Sequence, residues 1–216
     1  MYAWSDLFLI VLVLTNFLLL GSSRLSVYIR VCALQGLALG FLPILTHIGD
    51  PSRLALLTVL GLVTMGVKGV LFPWLLFRAM READVKREPQ PFVGYTASLL
   101  AGIAALAISL RLGARMPLPE PAFSPLAVPV GLFTLLVGLF LIVSRRKALT
   151  QVLGYLVLEN GIYTVGIALV AEVSVLVELG VLLDAFVAVF VMQIAIHHIS
   201  SEFESTDVSQ LTALKG

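Results

Sequence analysis

Charge is scarce in this chain, and sulfur scarcer still. Only 12% of its 216 residues are Asp, Glu, Lys or Arg, where a soluble domain carries about a quarter. The formal net charge is +1, so there is no basic field to hold nucleic acid. Cys32 is the single cysteine. That excludes an intrachain disulfide, a cysteine zinc site and a cysteine-ligated iron–sulfur cluster, and leaves Cys32 the part of a small apolar filler in a helix. Nothing basic precedes the first apolar run, and Asp6 stands where a signal peptide would be positive, so no cleavable signal is expected. No nucleophile–base constellation stands out.

Apolar residues fill the space that charge leaves. They make up 59% of the chain, with a mean hydropathy of +1.04. A water-soluble body of this size cannot bury that much apolar surface. The expected fold is therefore all-α, a polytopic integral membrane protein. A membrane-spanning helix needs about 20 mainly apolar residues, and seven such runs occur: Ala3–Gly21, Ser26–His47, Leu54–Phe77, Phe92–Leu110, Leu126–Ser144, Leu149–Ala171 and Val173–Ser200. With seven spans the loops alternate. Arg24, Arg30, Arg78, Arg81, Lys86, Arg87, Arg145, Arg146, Lys147 and Lys215 fall on one side, and Arg53, Arg111 and Arg115 on the other. That bias predicts the N-terminus outside and the C-terminus in the cytoplasm. His47 then lies at the outer end of its span and His197 and His198 at the inner end of theirs, too far apart to hold one haem.

Four prolines, Pro117, Pro119, Pro121 and Pro125, forbid a helix between spans four and five. They divide the chain into a four-helix region at 1–115, an external linker at 116–125, a three-helix region at 126–200 and a cytoplasmic tail at 201–216. The connection from Arg78 to Pro91 is dense in both charge signs and reads as a solvated turn or as a docking surface.

Ionisable groups at membrane depth are expensive and default to a functional reading. Lys68, Glu159 and Asp184 each lie roughly 15 Å into their spans at 1.5 Å per residue, near the middle of a core about 30 Å thick. Two readings are open. The three either form an ion pair that only locks helices together, or they form a protonatable relay. Gln151, Tyr155, Glu159 and Tyr163 recur every four residues and so share one face of span six, with Asn160 beside them. Glu178 precedes Asp184 on the outer side of span seven. Pro73 removes a backbone donor and frees the carbonyl of Gly69, which predicts a loosened helix next to Lys68. Gly66 and Gly69 are expected to admit a neighbouring helix closely.

These residues also carry a resemblance. Arg145-Arg146-Lys147 followed by Gly154-Tyr155-Leu156-Val157-Leu158-Glu159-Asn160-Gly161 resembles the membrane component E of hydrogenase-4 and formate-hydrogenlyase-type complexes. So do Glu178-Leu179-Gly180 leading to Asp184-Ala185-Phe186, the ending Leu211-Thr212-Ala213-Leu214-Lys215-Gly216, and Lys68 with Pro73. The segment from Pro125 to Ser200 is similar to the three-helix K component of respiratory complex I and to the C component of Mrp-type cation antiporters. Alignment puts one membrane glutamate of that wider family at Leu156, with Glu159 one turn later here, and the other at Asp184.

The resemblance implies a non-catalytic membrane subunit of an oxidoreductase complex in a bacterial or archaeal inner membrane, moving protons or cations through Lys68, Glu159 and Asp184. It implies antiporter-like and quinone-subunit-like membrane partners and a soluble hydrogenase arm. That arm would carry the nickel–iron and iron–sulfur centres, with no cofactor in this chain. A stand-alone secondary transporter is the rival; it predicts inverted repeats and paired broken helices, of which only the proline-interrupted third span is present. A purely structural scaffold is the third reading.

Overall fold

A computed structural model of the chain describes residues 2–46, 51–82, 91–116, 124–169 and Gly180. Every regular element among them is helical: α1 Tyr2–Gly21, α2 Leu25–Thr46, α3 Pro51–Gly66, a π-helical turn Val67–Leu71, α4 Phe72–Glu82, α5 Tyr95–Gly113, α6 Ala127–Ser144 and α7 Ala148–Leu169. Spans one, two, four, five and six of the sequence thus appear as single helices. The third is a continuous run of α3, the π turn and α4. Five described stretches are long and apolar enough to cross a membrane, and Ser5–Gly21 is a shorter apolar helix. The seventh predicted span lies outside the described residues apart from Gly180, as do most of the proline linker and the polar tail.

Short connections force neighbouring helices antiparallel. Ser22 and its neighbours turn α1 into α2, with the Arg24 amide donating to Ser22 Oγ at 3.2 Å. Arg145 is extended after α6, and α7 resumes at Ala148. One end of the bundle therefore collects Arg24, Arg78, Arg81, Arg145, Arg146 and Lys147. Arg145 ties this basic end together. It is fully buried, donating from Nη2 to Leu20 O at the end of α1 (3.1 Å) and from Nη1 to Val93 O before α5 (3.3 Å). Its guanidinium lies 5.0 Å from the centre of the Tyr95 ring. At the opposite end Ser124 Oγ donates to Asp6 Oδ1 at 2.6 Å.

Among the described helices α6 and α7 share the most extensive interface, and glycine makes it possible. A Cβ on Gly138 would overlap the Leu158 backbone, and one on Gly161 would overlap Leu135. The expectation for Gly69 holds, since a Cβ there would stand 2.5 Å from Leu37 Cδ2. The expectation for Gly66 fails. Among the described residues nothing lies within 4 Å of a Cβ built there, because Gly66 ends α3 on its outward side while Gly36, from α2, is the glycine that receives the lysine segment.

The buried apolar residues form two clusters stacked along the helices. One, toward the basic end, includes Leu19, Tyr28, Phe72, Phe133 and Leu153. The other includes Leu9, Leu12, Leu39, Val128 and Ile167. A polar layer separates them.

Candidate functional site

That layer is built from the mid-helix residues of α1, α2, α6 and α7 and from the π turn. Pro73 explains the turn. Without an N–H it cannot bond Gly69 O in α-helical register, and the Phe72 N–H reaches back five residues to Val67 O. The loosening expected beside Lys68 thus takes the form of one wide turn, a feature frequent at functional positions. The lysine's own backbone is packed from the other side by Gly36, where a Cβ would stand 2.5 Å from Lys68 Cβ.

Lys68 Nζ donates to Glu159 Oε1 at 2.5 Å, with both side chains buried. It also donates to Asn160 Oδ1 at 3.4 Å. From there the bonds continue in one sense. Asn160 Nδ2 donates to Gln35 Oε1 at 3.2 Å. Gln35 Nε2 donates to Asn16 Oδ1 and Thr15 Oγ1, each at 3.0 Å. Asn16 Nδ2 donates to Thr134 Oγ1 at 2.8 Å, and Thr134 Oγ1 to Val130 O at 2.8 Å. Gln35, Asn16 and Thr134 are 0% exposed, so each bond replaces one that water cannot supply. Every amide oxygen in this string points toward Lys68.

The Glu159 side of the pair differs. Glu159 Oε2 and Tyr163 Oη are buried without a hydrogen-bond partner among the described residues. The Tyr163 ring lies 5.9 Å from Lys68 Nζ. A Cβ on Gly180 would lie 3.7 Å from Glu159 Oε1, so the backbone four residues ahead of Asp184 in the sequence comes close to the acid. On its basic-end side, Lys68 borders a small pocket with room for about one water.

Of the residues singled out from sequence, the structure brings Lys68, Glu159, Asn160 and Tyr163 together. Tyr155 is half-buried and packs on the basic-end cluster. Gln151 turns away from the layer and donates to Arg145 O at 3.0 Å. Asp184 and Glu178 lie outside the described residues. Sequence reasoning missed Gln35, Asn16, Thr15 and Thr134. Their signal was an uncharged polar side chain in mid-span, which a search for ionisable groups passes over. Among the described residues no three His, Cys, Asp or Glu side chains gather as a metal site.

The chain is 34% identical over 209 residues to an uncharacterized protein of Mycobacterium tuberculosis, covering 94% of this chain and 92% of that one. It is also 34% identical over 151 residues to hydrogenase-4 component E of Escherichia coli K12, covering 69% of each chain. The same component of Shigella flexneri matches to the same extent. No protein-family model matches the chain, and no solved structure matches it.

Proposed function

The chain belongs to the hydrogenase-4 component E family, and from that premise we propose that it is a membrane subunit of a multi-subunit hydrogenase complex in which the Lys68–Glu159 pair relays protons. The observation that carries this reading is the pair itself, held at mid-helix depth with an oxygen that has no partner among the described residues on one side and a pocket on the other. The pair holds one proton, on the lysine. A proton arriving at Glu159 Oε2 neutralises the carboxylate and loosens its grip on the ammonium. Lys68 can then release a proton on its other side and recover one from Glu159, which restores the starting pair. One proton enters and one leaves. The amide string does not carry protons, because Asn and Gln do not titrate near neutrality; it orients Asn160 toward the lysine.

In this reading Asp184 and Glu178 extend the path. The energy comes from partners: antiporter-like and quinone-subunit-like membrane proteins and a soluble arm bearing nickel–iron and iron–sulfur centres. The basic end would face the cytoplasm of a bacterial or archaeal cell, across its inner membrane. The test uses inverted membrane vesicles containing the assembled complex. Glu159→Gln and Lys68→Met should each lower proton pumping at least about tenfold while hydrogenase turnover with an artificial acceptor stays intact. Unchanged pumping in both variants overturns the relay.

One observation favours a second reading. The pair and its string bond α1, α2, α6, α7 and the π turn together, as a structural lock would. The double variant Lys68→Met/Glu159→Leu separates the two: normal pumping in an assembled complex supports the lock.

A further inference from the structure

The relay needs a second exit from Lys68, and the amide string cannot provide it. The pocket beside the lysine is placed to do so. Its inner wall is Lys68 and Asn160, and its remaining lining includes Ile29, Cys32 and Ala33 of α2, Phe72 and Leu76 of α4, and Leu156 of α7. On α2 these residues precede Gly36, where the helix abuts the lysine. On α4 they follow Lys68. On α7 Leu156 precedes Glu159. All three helices thus place the lining on the basic-end side of the pair, opposite to Tyr163.

We propose that this pocket is a water-binding site that hydrates Lys68 from the basic end, separately from the Oε2 side of Glu159. Its inner end offers the polar partners a buried water needs. The rest of its lining is apolar apart from the weak donor Cys32, and apolar surroundings of that kind exchange water intermittently, wetting and drying. The role given to this water rests on the relay reading; its presence does not.

Hydroxyl-radical labelling of the intact complex, with radicals generated from water by an X-ray pulse and read by mass spectrometry, tests the site in the unmodified chain. Leu156 is buried and Leu34 is exposed on the outer face of α2, so the two compare one side-chain type beside the pocket and against lipid. Leu156 should be modified about tenfold faster than Leu34, with Cys32 modified as well, if a water resides there. Ala33→Leu fills the pocket; it should slow labelling of Leu156 and Cys32 and depress pumping, whereas Ala33→Ser should preserve both. Labelling of Leu156 no faster than Leu34 overturns the water site, whatever Lys68→Met does to pumping. A labelled pocket with pumping intact in Lys68→Met and Glu159→Gln overturns the relay alone and leaves the water site standing.

Discussion

Removing one member of a buried ion pair strands the other. Glu159→Gln or Lys68→Met is expected to cost about 3–5 kcal/mol of stability, seen as early thermal unfolding in detergent. Lys68→Met combined with Glu159→Leu should recover most of that loss, because two apolar side chains leave no uncompensated charge. Gln35→Leu leaves Asn160 Nδ2 and Asn16 Oδ1 without their partner and should cost about 1–3 kcal/mol by the same measurement. Lys68 and Glu159 were legible in the sequence because a charge in an apolar run has few innocent explanations. Their contact was not, since they stand 91 residues apart in sequence and spacing fixes depth but not which helices meet. Gln35 and Asn16 stayed hidden for another reason: a neutral amide inserts at lower cost, so its presence in a span says less until its bonds are seen.

Among the elements, the third span carries the sharpest test. Pro73→Ala restores a donor for Gly69 O and should let the π turn relax to α-helix. That change rotates Lys68 relative to α4, and loss of pumping without loss of assembly is the expected result. Glycine positions divide by what they face. Gly161→Leu drives a side chain into the Leu135 backbone and should abolish assembly of the chain, judged by its yield in a detergent pull-down of the complex. Gly66→Ala meets open space and should be tolerated, with a gain of up to about 1 kcal/mol from helix propensity. Hydropathy placed the described helix ends within a few residues, apart from the third span, which runs some five residues further at its C-terminal end. It did not separate Gly66 from Gly161, because a glycine's use depends on the neighbour it admits.

On the scale of the whole molecule, alternation of the helices puts Arg81 and Arg111 at opposite ends. With Cys32 replaced by alanine, single cysteines at those two positions should react with an impermeant maleimide from opposite faces of the membrane. Labelling of both from one face would rule out the arrangement. Charge bias in the loops already carried this pattern. The knot at the basic end was not legible: Arg145 reads as one of three loop cations in the sequence, yet it is fully buried while Arg146 and Lys147 are exposed. Only the meeting of α1, α5 and α6 supplies the carbonyls and the ring that accommodate it.

The one-way sense of the hydrogen-bond string has a consequence of its own. The hydroxyl of Thr134 is committed to Val130 O, which leaves its oxygen to accept from Asn16. That choice dictates the flip of Asn16, then of Gln35, then of Asn160. Which atom Asn160 shows to the lysine is therefore set from a distance, by Thr134 in α6 and by Thr15 in α1, whose hydroxyl is likewise committed to backbone carbonyls while its oxygen accepts from Gln35. Thr134 acts as the polariser of a layer whose charge sits at the far end. A threonine-to-valine change there would keep the shape and leave Thr15 to set the direction alone.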